Sequence, residues 1–218
     1  MAIGRKRTLA PGGPGDRSDA TSPHLSQYRS DVKDALVQLL TEQSASIISH
    51  LAQVSELATQ TALNLGLSPA IVELTRLAAE LHDVGKVGIP AKILQKPGPL
   101  DVEEQWFVQR HSEIGESLVE AMPSLQAVAP IVRAVHERPD GRGYPDGLVL
   151  HEIPLSSRII AVVDAFDAMT SHRPYQQAMS VSEALAELHC HAGTQFDSEV
   201  VQAFAAAVAV CKPALRAA

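Results

Sequence analysis

The chain has 218 residues, 45% hydrophobic and 20% charged, so it can bury a sizeable core and is neither a fibre, a coiled coil nor a wholly disordered polymer. Its net charge of −7 argues against general binding to nucleic acid polymers or anionic membranes. Cys190 and Cys211 make no closely spaced framework and fit a reducing cytoplasm. The basic run RKR near the amino terminus lacks a following apolar stretch and predicts no secretory signal, and the apolar run Ala203 to Cys211 is too short for a bilayer.

Residues 1–28, rich in Gly, Pro, Ser and Arg and net positive, read as a flexible tail. Helical spacing then carries Val32, Leu36, Leu39 and Leu40, and again Ile47, Leu51, Val54, Leu57, Ala58 and Leu65, up to a stop at Gly66. Ser68-Pro69 predicts an N-cap and first helical residue for a helix to about Val84, with Gly85 as a left-handed stop. The link GIPAKILQKPGPL follows, with a hint of extended structure over 87–94. Asp101 and Glu104 predict a capping box opening a helix to about Met122. Further helices are expected near 127–137, 156–171, 182–191 and 198–211. The fold class is all-α, one domain over 29–212, with 213–218 as a short C-terminal tail. The apolar clusters at 36–40 and 203–210 suit either the core or a homodimer face.

The sharpest chemical feature is LHDVGKVGIP at 81–90. Adjacent His82 and Asp83 point about 100° apart on a helix, so they share a ligand only where several elements converge on its end. Taken alone, the pair reads first as a helix cap. His50 on an apolar helix, His111 after WFVQR, His136-Glu137, and Asp164 inside IIAVVDAF add to the set. An ionised carboxylate on so apolar a helix needs solvent or a cation, and Asp167 shares its face. Imidazole and carboxylate without thiolate suit manganese, iron or zinc. Each histidine by itself reads first as a satisfied core or surface residue.

The order His50, His82-Asp83, Asp164 resembles the HD superfamily of metal-dependent phosphohydrolases. HDVGKVGIP, KPGPL, HSEIG at 111–115, HERPDGRGYPDGL at 136–148, RIIAVVDAFDAMTSHRPY at 158–175 and the G-x-x-F-D of 193–197 together resemble the HD-GYP family, bacterial phosphodiesterases of cyclic di-GMP. The resemblance implies an HD-type helical bundle and two divalent ions, iron or manganese, held by His50, His82, Asp83, His111, His136 and Asp164, with Asp83 bridging. It further implies that Lys86 protonates the leaving oxygen or holds the phosphate, with Arg173 gripping a second phosphate. Gly143, Tyr144 and Pro145 form the motif loop, and Tyr144 would stack on guanine or meet a GGDEF-domain partner. Turn chemistry alone also explains that loop. Glu137 is expected behind His136, Asp167 behind the metal ligands, and Arg158 in a structural ion pair with a helix carboxylate.

The chain departs from the family pattern at Val135, where His is usual, and at Ser46, Pro139, Leu150, Gln176 and Gln177. The second metal site is thus expected to be short of one ligand and one phosphate contact weakened. Three functions follow: hydrolysis of cyclic di-GMP to pGpG or GMP, non-catalytic binding of cyclic di-GMP or a GGDEF partner, and hydrolysis of another nucleotide such as a hybrid cyclic dinucleotide. Retention of His82, Asp83, Lys86 and Asp164 favours catalysis.

Overall fold

The structure, a computed structural model, describes residues 34–35, 37–38, 46–171 and 177–215. The expected tail over 1–28, most of the 30–45 stretch and Arg173 with Gln176 lie outside the described residues.

Helix α1 (Ser46–Asn64) closes with Leu67 N–H donating to Ala62 O and Gly66 N–H to Leu63 O, the expected stop. Helix α2 (Pro69–Leu81) has proline in its first turn as expected. Ser68 occupies the N-cap position without a side-chain cap bond; its carbonyl accepts from Val72 N–H. The chain continues through a 3₁₀ turn (Val84–Gly88), α3 (Ala91–Leu94), α4 (Val102–Gln109), α5 (His111–Glu120), a 3₁₀ turn (Gln126–Val128) and α6 (Ala129–Arg133). After a long loop come α7 (Leu155–Thr170), α8 (Val181–Cys190) and α9 (Ser198–Leu215). Among the described residues there is no strand, only isolated bridges at Asp140–Val149 and Ala192–Phe196. The fold is all-α.

Helices α1, α2, α7 and α9 enclose the core, where Val54, Leu81, Ile159, Val163, Phe166 and Phe204 are fully buried. Phe166 and Phe204 meet edge to face at 4.9 Å between ring centroids. Capping boxes at Asp101/Glu104 and Ser180/Glu183 start α4 and α8, satisfying orphan N–H groups reciprocally.

Four local expectations are corrected. Helix α2 ends at Leu81 rather than Val84, so His82 and Asp83 form the joint between it and the 3₁₀ turn. Residues 87–94 are helical turns, not extended. The helix expected from Asp101 to Met122 breaks at Arg110, and the one expected near 127–137 is a 3₁₀ turn plus α6. Gly85 is not left-handed; its lack of a side chain matters because a Cβ there would lie 1.9 Å from His111 O and 2.5 Å from Gly115 N. Backbone contact, rather than torsion, selects glycine at that position.

Candidate metal centre

Three elements each deliver one imidazole with its outer nitrogen already committed. His50 of α1 has Nδ1 2.6 Å from Asp167 Oδ2 on α7. His82, at the end of α2, has Nδ1 2.8 Å from Ala79 O, and His111, opening α5, has Nδ1 2.6 Å from Val108 O. A neutral ring donating from Nδ1 presents the Nε2 lone pair, and a fixed outer bond orients the ring. The break at Arg110 explains the last of these: restarting the helix at His111 aims its imidazole inward.

Asp83 stands between the rings. Its Oδ2 is 3.6 Å from His82 Nε2 and 3.9 Å from His50 Nε2, while its Oδ1 is 3.7 Å from His111 Nε2. Asp164 Oδ1 lies 3.5 Å from His50 Nε2 and 3.9 Å from His82 Nε2, with its side chain 26% exposed at the mouth. His111 Nε2 and His136 Nε2 are 2.9 Å apart. Two groups result, His50–His82–Asp83 and Asp83–His111–His136, the donor atoms within each lying inside 4.8 Å of one another. Asp83 belongs to both.

Buried His82 Nε2 and Asp83 Oδ1 have no hydrogen-bond partner. Such orphans cost about 1–3 kcal/mol each, and a cation between them would satisfy both. The donor set, nitrogen and carboxylate oxygen with open positions, fits divalent ions such as iron, manganese or zinc. The residues present therefore fit a two-metal centre.

Charge is arranged for the same end. Burial works to raise the Asp83 carboxyl, yet Lys86, His82 and His111 outweigh it and hold the group well below the usual carboxylate range. Burial, reinforced by the charge of His111, pushes His136 down to about 3, and burial lowers His111 as well. His50 goes the other way: burial opposes it, but its bond to Asp167 and the charges of Asp164, Asp167 and Asp83 raise it.

Lys86, in the 3₁₀ turn, places Nζ 2.6 Å from Asp83 Oδ2. It sits against the centre rather than standing free above it.

The motif loop is held from inside. Glu137 does not support His136 as expected; its carboxylate accepts backbone N–H bonds from Asp146 (2.6 Å), Gly147 (3.1 Å) and Leu148 (3.0 Å). The side chain is 3% exposed, and closing the loop satisfies its charge better than the neighbouring ring could. A Cβ on Gly143 would fall 2.4 Å from Glu137 Cα, so the loop packs directly on its own start. Tyr144, joined to Pro145 by a cis peptide, stacks on His136 with centroids 5.1 Å apart and planes at 16°. Burial raises its hydroxyl above the ordinary value.

Sequence reasoning missed Arg133, whose guanidinium forks to Asp146 at 2.7 and 2.8 Å and also reaches Glu116 at 2.6 Å, pinning the loop to α5. Only a basic residue in the last turn of α6 marked it, a signal shared by many surface arginines. Arg158 pairs with Asp197 at 2.6 Å, the structural role expected of it. Val135 is fully buried in the core. Asp167 meets His50 Nδ1 through its Oδ2 on the outer side of the first group.

With this geometry in place, the family model described as HD domain matches residues 34–200. The chain belongs to the HD domain family. It is 38% identical over 186 residues to the cyclic di-GMP phosphodiesterase response regulator RpfG of Xanthomonas campestris pv. campestris, covering 84% of this chain and 49% of that one. It is 43% identical over 157 residues to a cyclic di-GMP phosphodiesterase of Thermotoga maritima, covering 71% and 43%. A 3'3'-cGAMP-specific phosphodiesterase of Vibrio cholerae is 36% identical over 172 residues, covering 79% and 37%. The chain thus spans less than half the length of these relatives. Among solved structures, Bd1817 of Bdellovibrio bacteriovorus, described as an HDG"Y"P protein, aligns with TM-score 0.60 at 24% identity over 75% of this chain and 52% of that one. The cyclic GMP-AMP specific phosphodiesterase V-cGAP3 aligns with TM-score 0.60 at 18% identity, over 81% and 48%. At these identities the two structures establish the shared helical fold. The expected kinship with the HD-GYP group holds. No described helix is long and apolar enough to cross a membrane.

Proposed function

We propose that this chain is a metal-dependent phosphodiesterase that hydrolyses cyclic di-GMP to pGpG or GMP. The observation that carries the reading is Asp83, shared between two histidine groups with an orphaned oxygen facing one of them. His50, His82, Asp83 and Asp164 would hold one divalent ion and Asp83, His111 and His136 the other, with iron or manganese the favoured metals. When bound, the pair would supply Lewis acidity and an activated water for in-line displacement at phosphorus.

The protein's own residues do the rest. Asp167 fixes the His50 ring, and the backbone carbonyls of Ala79 and Val108 fix those of His82 and His111. Lys86 Nζ stands beside Asp83, placed to steady the phosphate or to serve the leaving oxygen. Arg173 remains the proposed second phosphate contact, and Gly143, Tyr144 and Pro145 the proposed contact with a GGDEF-domain partner. A cytoplasmic setting suits Cys190, which stands as an exposed free thiol. A homodimer is part of the same proposal.

Val135 favours a second reading, a non-catalytic binder of cyclic di-GMP, because a buried valine stands where the family usually has a histidine. Anaerobic reconstitution with manganese or iron, metal analysis and a cyclic di-GMP turnover assay test the choice. Hydrolysis supports the enzyme; binding without hydrolysis supports the sensor.

A further inference from the structure

Next to the second histidine group lies a cleft of about 330 Å³ whose lining includes His136, Arg142, Gln109, Gln195, Ala165 and Phe196. We propose that this cleft seats a guanine base of the substrate, and that Arg142 is the residue that selects guanine over adenine. The proposal rests on the phosphodiesterase reading above and names the base its substrate must carry.

The argument begins with what the cleft leaves unused. Arg138 forks to both oxygens of Asp140, at 3.0 and 2.7 Å, and Arg142 N–H takes Asp140 Oδ1 at 3.1 Å. Glu137, which also faces the cleft, has its oxygens filled by three backbone N–H groups. The guanidinium of Arg142 therefore makes no hydrogen bond and no close ion pair among the described residues, although its charge helps to lower the Asp140 carboxyl. The side-chain amides of Gln109 and Gln195, both half-buried, are also without a partner among the described residues.

A guanidinium fork matches the O6 and N7 acceptors of guanine, whereas adenine presents an amino donor in place of O6. The two amides can donate or accept and so suit the remaining base edge, while Phe196 and Ala165 add apolar surface to the lining. His136 belongs to both the cleft and the histidine pair, so a phosphate at the centre would place its attached nucleoside at the cleft.

To test this, cyclic di-GMP, 3'3'-cGAMP and cyclic di-AMP are titrated against the full chain, Arg142→Met and Arg142→Lys, with manganese-supported turnover followed in parallel. Arg142 is exposed, and circular dichroism is used to check that the variants fold. Arg142→Met should weaken cyclic di-GMP binding about tenfold while leaving cyclic di-AMP binding as it was, and Arg142→Lys should recover most of the loss. Equal weakening for all three ligands, a general charge effect, overturns the proposal, as does no weakening. Guanine-dependent binding that falls with Arg142→Met but without turnover in any protein would remove the phosphodiesterase reading and leave the guanine seat. Turnover with base preference unmoved by Arg142→Met would do the opposite. Absence of binding by any of the three ligands overturns both.

Discussion

Lys86 Nζ lies 2.6 Å from Asp83 Oδ2, the same oxygen that faces the His50 and His82 rings. One lysine thus steadies the most heavily shared carboxylate of the centre and stands at the edge of the reacting space. Lys86→Ala should lower kcat about 10²-fold, the scale for losing one acid or electrostatic group, while leaving most of the metal in place. Turnover at saturating cyclic di-GMP, read beside metal content, checks both halves; a variant that loses metal in parallel with rate makes Lys86 a support for Asp83 only.

Metal loading should stabilise the protein, because it satisfies His82 Nε2 and Asp83 Oδ1 together. Manganese titration should raise the Tm of the chelated protein, and Asp83→Ala should lose most of that rise along with metal from both groups. Equal metal content in the two proteins after anaerobic reconstitution would show that Asp83 is not shared.

Glu137→Gln should weaken the motif loop more than the metal centre, since its carboxylate bonds to Asp146, Gly147 and Leu148 rather than to His136. Loss of charge-assisted bonds at a buried site predicts a stability cost of about 1–3 kcal/mol. Amide hydrogen exchange should speed up at residues 146–148 while metal content holds.

Val135→His would supply the imidazole the family usually carries, but here it must enter a fully buried apolar position. A larger, polar ring there predicts a loss of about 1–3 kcal/mol in the chelated protein, visible as a lower midpoint in urea. Manganese should restore part of that loss if the new ring reaches an ion. A midpoint unchanged by the substitution would mean that the site has more room than its burial indicates.

The candidate cluster was legible because the family resemblance marked its six residues, and the structure gathers all six within one neighbourhood. The capping box at Asp101 was legible for a similar reason, its partners being three residues apart. What local patterns could not carry were decisions made by distant backbone. The break at Arg110 stands beside a long-range partner, His111 facing Asp83, 28 positions earlier in the chain. Glu137 looked like a helper for its neighbour because adjacency is visible in a sequence, whereas a loop returning at Asp146 is not. Gly85 read as a torsional stop for the same reason; the His111 carbonyl that excludes a side chain comes from another helix.

That contact at Gly85 also ties the segment that follows His82 and Asp83 to the helix that bears His111. Gly85 and Gly115 meet backbone to backbone, so the segment bearing Asp83 and Lys86 cannot slide along α5, which bears His111. The interval between the two groups is set by touching main chains instead of adjustable side chains. A side chain larger than hydrogen at Gly85 would therefore be expected to push Asp83 and His111 apart by pressing on the His111 backbone rather than on either side chain.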